Sequence, residues 1–182
     1  LEKSLALARQ TQDPNEIAFA VWQLGRAAAA RKDYAQALEF MTESLSIYKG
    51  LRTYGGIFFL LGDLGKAALE AGDYQRAVSH YNEFLSIAWN EGYDRRIAEA
   101  LEQLASAILY QQPEYAARLL GSAEALRQSS SSELFPYQKE DYDHTLDLLH
   151  SHLDATTLTH CWAEGRAMSV KQVVESALVD SL

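Results

Sequence analysis

Apolar residues return at steps of three and four along most of the chain, and every forty residues the same large and small positions recur. "LGRAAAARKDYAQA" at Leu24 to Ala37 is rewritten as "LGKAALEAGDYQRA" at Leu64 to Ala77. Ile17, Ile57 and Ile97 share this register, as do Leu24, Leu64 and Leu104, and Gly25, Gly65 and Ala105. The other half of the unit repeats too, as Leu5-Ala6-Leu7, Leu45-Ser46-Ile47 and Leu85-Ser86-Ile87. Steps of three and four draw one stripe on a helix. Self-similarity at a fixed period marks units that bury their apolar faces on one another. Each unit reads as a helical hairpin, and the expected fold is all-α, an array of antiparallel hairpins.

Punctuation divides the pattern into elements. Asp13-Pro14-Asn15-Glu16 supplies an N-cap carboxylate, a proline at the first helical position and a capping-box glutamate. Asp33 and Asp73 stand where second helices begin, with Gln36 as the box partner of Asp33, and Gly50, Gly72 and Gly92 stand where helices should stop. The spacing predicts helices near 2–10, 14–31, 34–49, 55–71, 74–90, 94–111 and 114–127. The first is half of a hairpin, so the chain reads as starting inside a repeat, and its initial Leu reads as a cut from something longer. Residues 1–127 therefore form the expected repeat region, and the polar "QSSSSELF" marks a loop over 128–136. A C-terminal helical cap follows over 137–182: a helix opened by Pro136 to about Leu153, another from Ala155 to Met168, and a third capped by Ser169 and Gln172. Leu146, Leu149 and Leu153, then Val170, Val173, Val174 and Leu178, give these helices apolar sides, with Trp162 the expected main anchor. Trp89 and Trp162 both read as packing residues.

Gly25, Gly65, Ala37 and Ala77 let helix backbones approach, while Leu24, Leu64, Met41 and Tyr81 fill the space around them. This arrangement resembles the tetratricopeptide repeat. It appears as Val21, Leu24-Gly25, Ala28, Asp33-Tyr34, Ala37 and Met41, then as Leu61, Leu64-Gly65, Ala68, Gly72-Asp73-Tyr74, Ala77 and Tyr81. A looser third copy places Ala116 after a turn one residue shorter. The period of 40 exceeds the commonest of about 34 and implies longer helices. The resemblance implies an α–α superhelix. "AARLLGSAEALRQ", "DYDHTLDLLHSHL" and "CWAEGRAMSVKQVVESAL" in turn resemble the last helical part of bacterial signal-transduction ATPase regulators, which often end in a LuxR-type helix-turn-helix. That likeness covers roughly 90–182 and implies an interaction or sensor module of a larger transcriptional regulator.

Charge and chemistry narrow the function. Sixteen Lys and Arg against twenty-five Asp and Glu leave a net charge of −9, which repels phosphate backbones, so no direct nucleic-acid binding is expected. The single cysteine, Cys161, permits no intrachain disulfide and fits a reducing, cytoplasmic compartment. Runs such as Ile57 to Leu61 fall far short of the roughly 20 residues that span a bilayer, so no membrane partner is expected. No "GxxxxGK[ST]" is present, and no cofactor is expected. His144, His150, His152, His160 and Cys161 cluster in sequence, but His150 and His152 point about 160° apart on a helix and cannot grip one ion. Surface carboxylates at Asp63, Glu70, Glu99 and Glu102 read as solvated rather than as an acid–base pair, so no enzyme activity is expected.

The resemblance places the first helix of each hairpin on a concave face. Phe19, Trp22, Gln23 and Arg26, then Phe59, Asp63, Lys66 and Glu70, then Glu99, Glu102, Gln103 and Ser106 are the residues it leaves for a ligand. Aromatics among mixed charges suit a peptide, a protein segment or a small effector. The Lys and Asn set that clamps a C-terminal carboxylate in some chaperone-binding members is absent. The alternative is a structural spacer or a self-association scaffold between flanking modules.

Overall fold

The computed structural model describes residue 10 and residues 12–180. Apart from residue 10, the expected helix at 2–10 and its Leu5-Ala6-Leu7 register lie outside the described residues. Among the described residues the chain forms nine α-helices and no strand. Its contacts divide it into two compact units, Leu1–His80 and Tyr81–Leu182.

The first unit holds α1 (Pro14–Ala30), α2 (Tyr34–Leu51), α3 (Tyr54–Glu70) and the start of α4 (Tyr74–Asn90). α1 and α2 pack as a hairpin, α3 packs on α2, and α1 also touches α3. A Cβ on Gly25 would lie 2.7 Å from Met41 Cγ and 3.2 Å from the Ala37 carbonyl, so the expected small-residue crossing of α1 and α2 is present. Val21, Ala28, Ala37, Met41, Leu61, Leu64 and Ala68 are buried, while Leu24 is only half-buried. Ser44, fully buried on α2, donates to the Ala18 carbonyl at 2.7 Å and so loses no hydrogen bond on burial.

Gln12, Lys32, Arg52, Gly72 and Gly92 all have φ between 55° and 79°, and they stand twenty residues apart. After α1 the Lys32 N–H bonds the Ala29 carbonyl and the Asp33 N–H bonds that of Ala28, the paired closure of a Schellman turn. The closing bond recurs from Thr53 to Tyr48, Asp73 to Ala68 and Tyr93 to Ala88. The forty-residue side-chain pattern thus sits on a twenty-residue backbone pattern. Gly72 and Gly92 stop helices as expected. Gly50 does not: it lies inside α2 in open space, and the turn falls on Arg52. Asp13, Asp33 and Asp73 cap as expected, accepting from the N–H groups of Asn15, Gln36 and Arg76. The Asp33 N–H is already spent on Ala28, and the Gln36 side chain accepts instead from Arg31.

The second unit comprises the rest of α4, then α5 (Asp94–Ile108), α6 (Pro113–Ser129), α7 (Pro136–His152), α8 (Ala155–Ala167) and α9 (Val170–Asp180). α5 stops at Ile108 rather than near 111, and Gln112, the residue before Pro113, leaves helical geometry at φ −138°. Packing centres on α6, which touches α5, α7, α8 and α9. Gly121 of α6 and Gly165 of α8 mark a backbone crossing, where a Cβ on the first would strike the Trp162 carbonyl and one on the second that of Arg118. Ser122 donates to the Gly165 carbonyl at 2.8 Å beside them. Trp162 is a half-buried neighbour of this crossing rather than the main anchor. Its indole N–H donates to Glu124 at 2.7 Å. Trp89 is 38% exposed, so it is not a core residue. Ser169 and Gln172 form the expected capping box of α9.

Candidate functional site

In the first unit α1 and α3 carry a contiguous aromatic and charged group. Trp22 and Phe59 stack with centroids 6.0 Å apart and planes 28° from parallel. Phe19 meets Trp22 edge-on at 6.0 Å and 84°. The i, i+3 step from Phe19 to Trp22 puts both rings on one side of α1, and α3 delivers Phe59 four residues before Asp63. The Trp22 indole donates to Asp63 Oδ2 at 2.7 Å. Arg26 reaches the same oxygen at 3.8 Å and lies 5.8 Å from the Trp22 ring centroid. Burial raises the Asp63 carboxyl above its ordinary range, against the opposing pull of Trp22, Arg26 and Lys66. The polar members are thus tied to one another, while Phe19 and Phe59 remain 51% and 39% exposed. Two large apolar rings facing solvent beside a fixed indole offer area to a partner without reorganising first.

The other sequence-derived candidates in this unit stand apart from that group. Gln23 is half-buried and Lys66 is exposed. Burial, and next the negative charge of the likewise exposed Glu70, push the Tyr34 hydroxyl above its ordinary pKa.

The candidates on α5 in the second unit are placed differently from the open face expected of them. Glu99 is buried and receives Arg96 at 2.6 Å. Glu102 is buried in a two-pronged pair with Arg127, Nε to Oε1 at 2.6 Å and the second terminal nitrogen to Oε2 at 2.7 Å. Burial raises the Glu102 carboxyl, with the guanidinium drawing it back. Gln103 is half-buried, and its Oε1 is enclosed without a hydrogen-bond partner. Ser106 donates to the Gln103 carbonyl at 2.7 Å. These side chains hold α5 to α6 and to its own first turn. Projection of the repeat could not anticipate this, because the partner, Arg127, lies 25 residues on. A signal was present all the same: Arg127 follows Leu120 by seven and Ala123 by four, so a guanidinium stands on the apolar stripe of α6.

Among the described residues no three His, Cys, Asp or Glu side chains come together as a metal site. His160 pairs with Glu164, and His152 packs its ring edge-on to Tyr110. No helix of the described residues is long and apolar enough to cross a membrane.

Residues 17–88 match the family model of the tetratricopeptide repeat. That stretch takes in most of α1, all of α2 and α3 and nearly all of α4, hence the whole aromatic group. Tetratricopeptide repeats generally mediate interaction between proteins. No curated protein and no solved structure gives a significant match to the chain. The tetratricopeptide match ends at residue 88, so it does not bear on the likeness of 90–182 to bacterial regulators.

Proposed function

We propose that the chain is a non-catalytic interaction module whose α1–α3 face receives a protein or peptide segment through an apolar anchor set between Phe19 and Phe59. The carrying observation is the exposure of these two rings on either side of Trp22, with Asp63 and Arg26 already engaged. A packing role alone would leave the rings covered. The wording of residues 90–182 supports placing the module in a larger bacterial transcriptional regulator, with residues 137–182 closing the repeats as a cap. Peptides enriched from a random displayed library are the test. They should lose about tenfold or more in affinity against Phe19→Ala or Phe59→Ala. The melting temperature should hold, because exposed substitutions rarely move stability by more than about 0.5 kcal/mol. Enriched peptides that bind the double variant unchanged would place the site elsewhere. No enrichment at all would favour a spacer or self-association scaffold.

A further inference from the structure

Phe19 and Phe59 hold one place in consecutive forty-residue copies, and Arg26 and Lys66 hold another, seven residues further on. Seven helical residues rise about 10 Å. The face of α1 and α3 therefore carries a level of exposed rings and, about 10 Å along, a level of exposed cations.

Arg26 is set up to receive an acceptor. Its guanidinium lies 5.8 Å from the Trp22 ring centroid, and its Nε is 3.8 Å from Asp63 Oδ2. The side chain is nonetheless 56% exposed. Its two terminal nitrogens donate no hydrogen bond among the described residues. A planar fork resting on an aromatic ring with both ends unspent suits the two oxygens of a carboxylate. Lys66 bears on Asp63 together with Arg26, so two positive charges meet one carboxylate there. That carboxylate already accepts from the Trp22 indole.

Like charges bound this level. Glu16, three residues before Phe19, and Glu70, four after Lys66, are both exposed, and the chain as a whole stands at −9. A run of acidic residues would be repelled at either end, whereas one carboxylate placed on the cations would not.

Taking the α1–α3 face as a docking surface, on which this inference rests, we propose that its partner is a protein segment with one internal Asp or Glu about 10 Å from an apolar anchor. The anchor sits between Phe19 and Phe59. The carboxylate takes both terminal nitrogens of Arg26, with Lys66 beside it.

A displayed library of random peptides, selected on the full chain, tests this. Enriched sequences should carry a single Asp or Glu about three residues from the apolar anchor if extended, or about seven if helical. The most enriched peptide is then made with both ends blocked, once with its acid and once with Asn or Gln in that place, and both are titrated by calorimetry. The amide form should bind the parent chain about tenfold more weakly. Arg26→Gln should bind the two forms alike, and Arg26→Lys, which keeps the charge without the fork, should restore part of the difference. Phe19→Ala should weaken both forms by the same factor, since it removes a separate contact. Enriched peptides that depend on Phe19 but carry no acid, or whose acid and amide forms bind the parent equally, would overturn the inference and leave the docking surface standing. Peptides indifferent to both Phe19→Ala and Phe59→Ala, or no enrichment at all, would overturn both.

Discussion

Lys32 and Arg52 occupy left-handed turn positions that Gly72 and Gly92 respectively fill one forty-residue unit later. An L-residue there crowds its Cβ against the carbonyl, at roughly 1–2 kcal/mol. Arg52→Gly should therefore raise stability by about 0.5–1 kcal/mol after the added freedom of the unfolded chain is deducted, and Gly72→Ala should lower it by about 1 kcal/mol. Gly50, two residues before Arg52, gives the reverse case. It lies inside α2 with open space around it, so Gly50→Ala should stabilise by about 0.5–1 kcal/mol. Urea midpoints at constant slope read all three, and a destabilised Gly50→Ala would mean that α2 stops there after all. The sequence makes Gly72 and Gly92 legible as stops because composition and geometry agree. Lys32 and Arg52 carry no such mark, and Gly50 carries a false one.

Hairpin crossings that recur can be read from one copy to the next, as Gly25 with Ala37 was, whereas the meeting of Gly121 and Gly165 occurs once and across 44 residues. The atoms met also differ. A methyl at Gly25 first encounters Met41 Cγ, a movable side chain, but at Gly165 it encounters the backbone of Arg118. Gly165→Ala should thus cost about 3 kcal/mol by overpacking, and more than Gly25→Ala. Loss of hydrogen-exchange protection through Ala155–Ala167 is the check. Carboxylates hold the same pair of helices. Arg118 keeps the Glu164 carboxyl below its ordinary 4.5. Burial alone would raise Glu124, but hydrogen bonds from Trp162 and Arg166 bring it below 4.5 as well. Both folded values lie under the unfolded one, so the stabilisation is complete above 4.5 and fades as pH falls through the folded values. The difference in melting temperature between the parent and a Glu124→Gln, Glu164→Gln variant should accordingly be largest near neutrality and close on acidification. A difference that persists unchanged in acid would show that these carboxylates act by shape alone.

At the scale of the whole chain, charge decides one question directly. At −9 the protein should not retard duplex DNA at physiological salt in a gel-shift titration, and saturable micromolar binding would contradict that. The helical architecture was legible because period, caps and small residues all pointed one way. The candidate site was legible only in part: that Phe19, Trp22, Arg26, Phe59 and Asp63 come together was foreseeable from their places in consecutive copies, while the fates of Glu99 and Glu102 depended on side chains outside the copied pattern. Because α6 carries α8 and α9, a chain ending at Ser129 should exchange amides of residues 116–126 about tenfold faster or more. Equal protection would mean the C-terminal helices cover nothing. The manner of their release follows from the glycine crossing. A slide of one turn along α6 would bring the methyl of Ala117 or Ala125 to the place of Gly121, where an added Cβ already meets the Trp162 backbone. Shear along α6 is disfavoured by that backbone contact, so α8 is expected to part from it by lifting outward as a unit rather than by a graded slide.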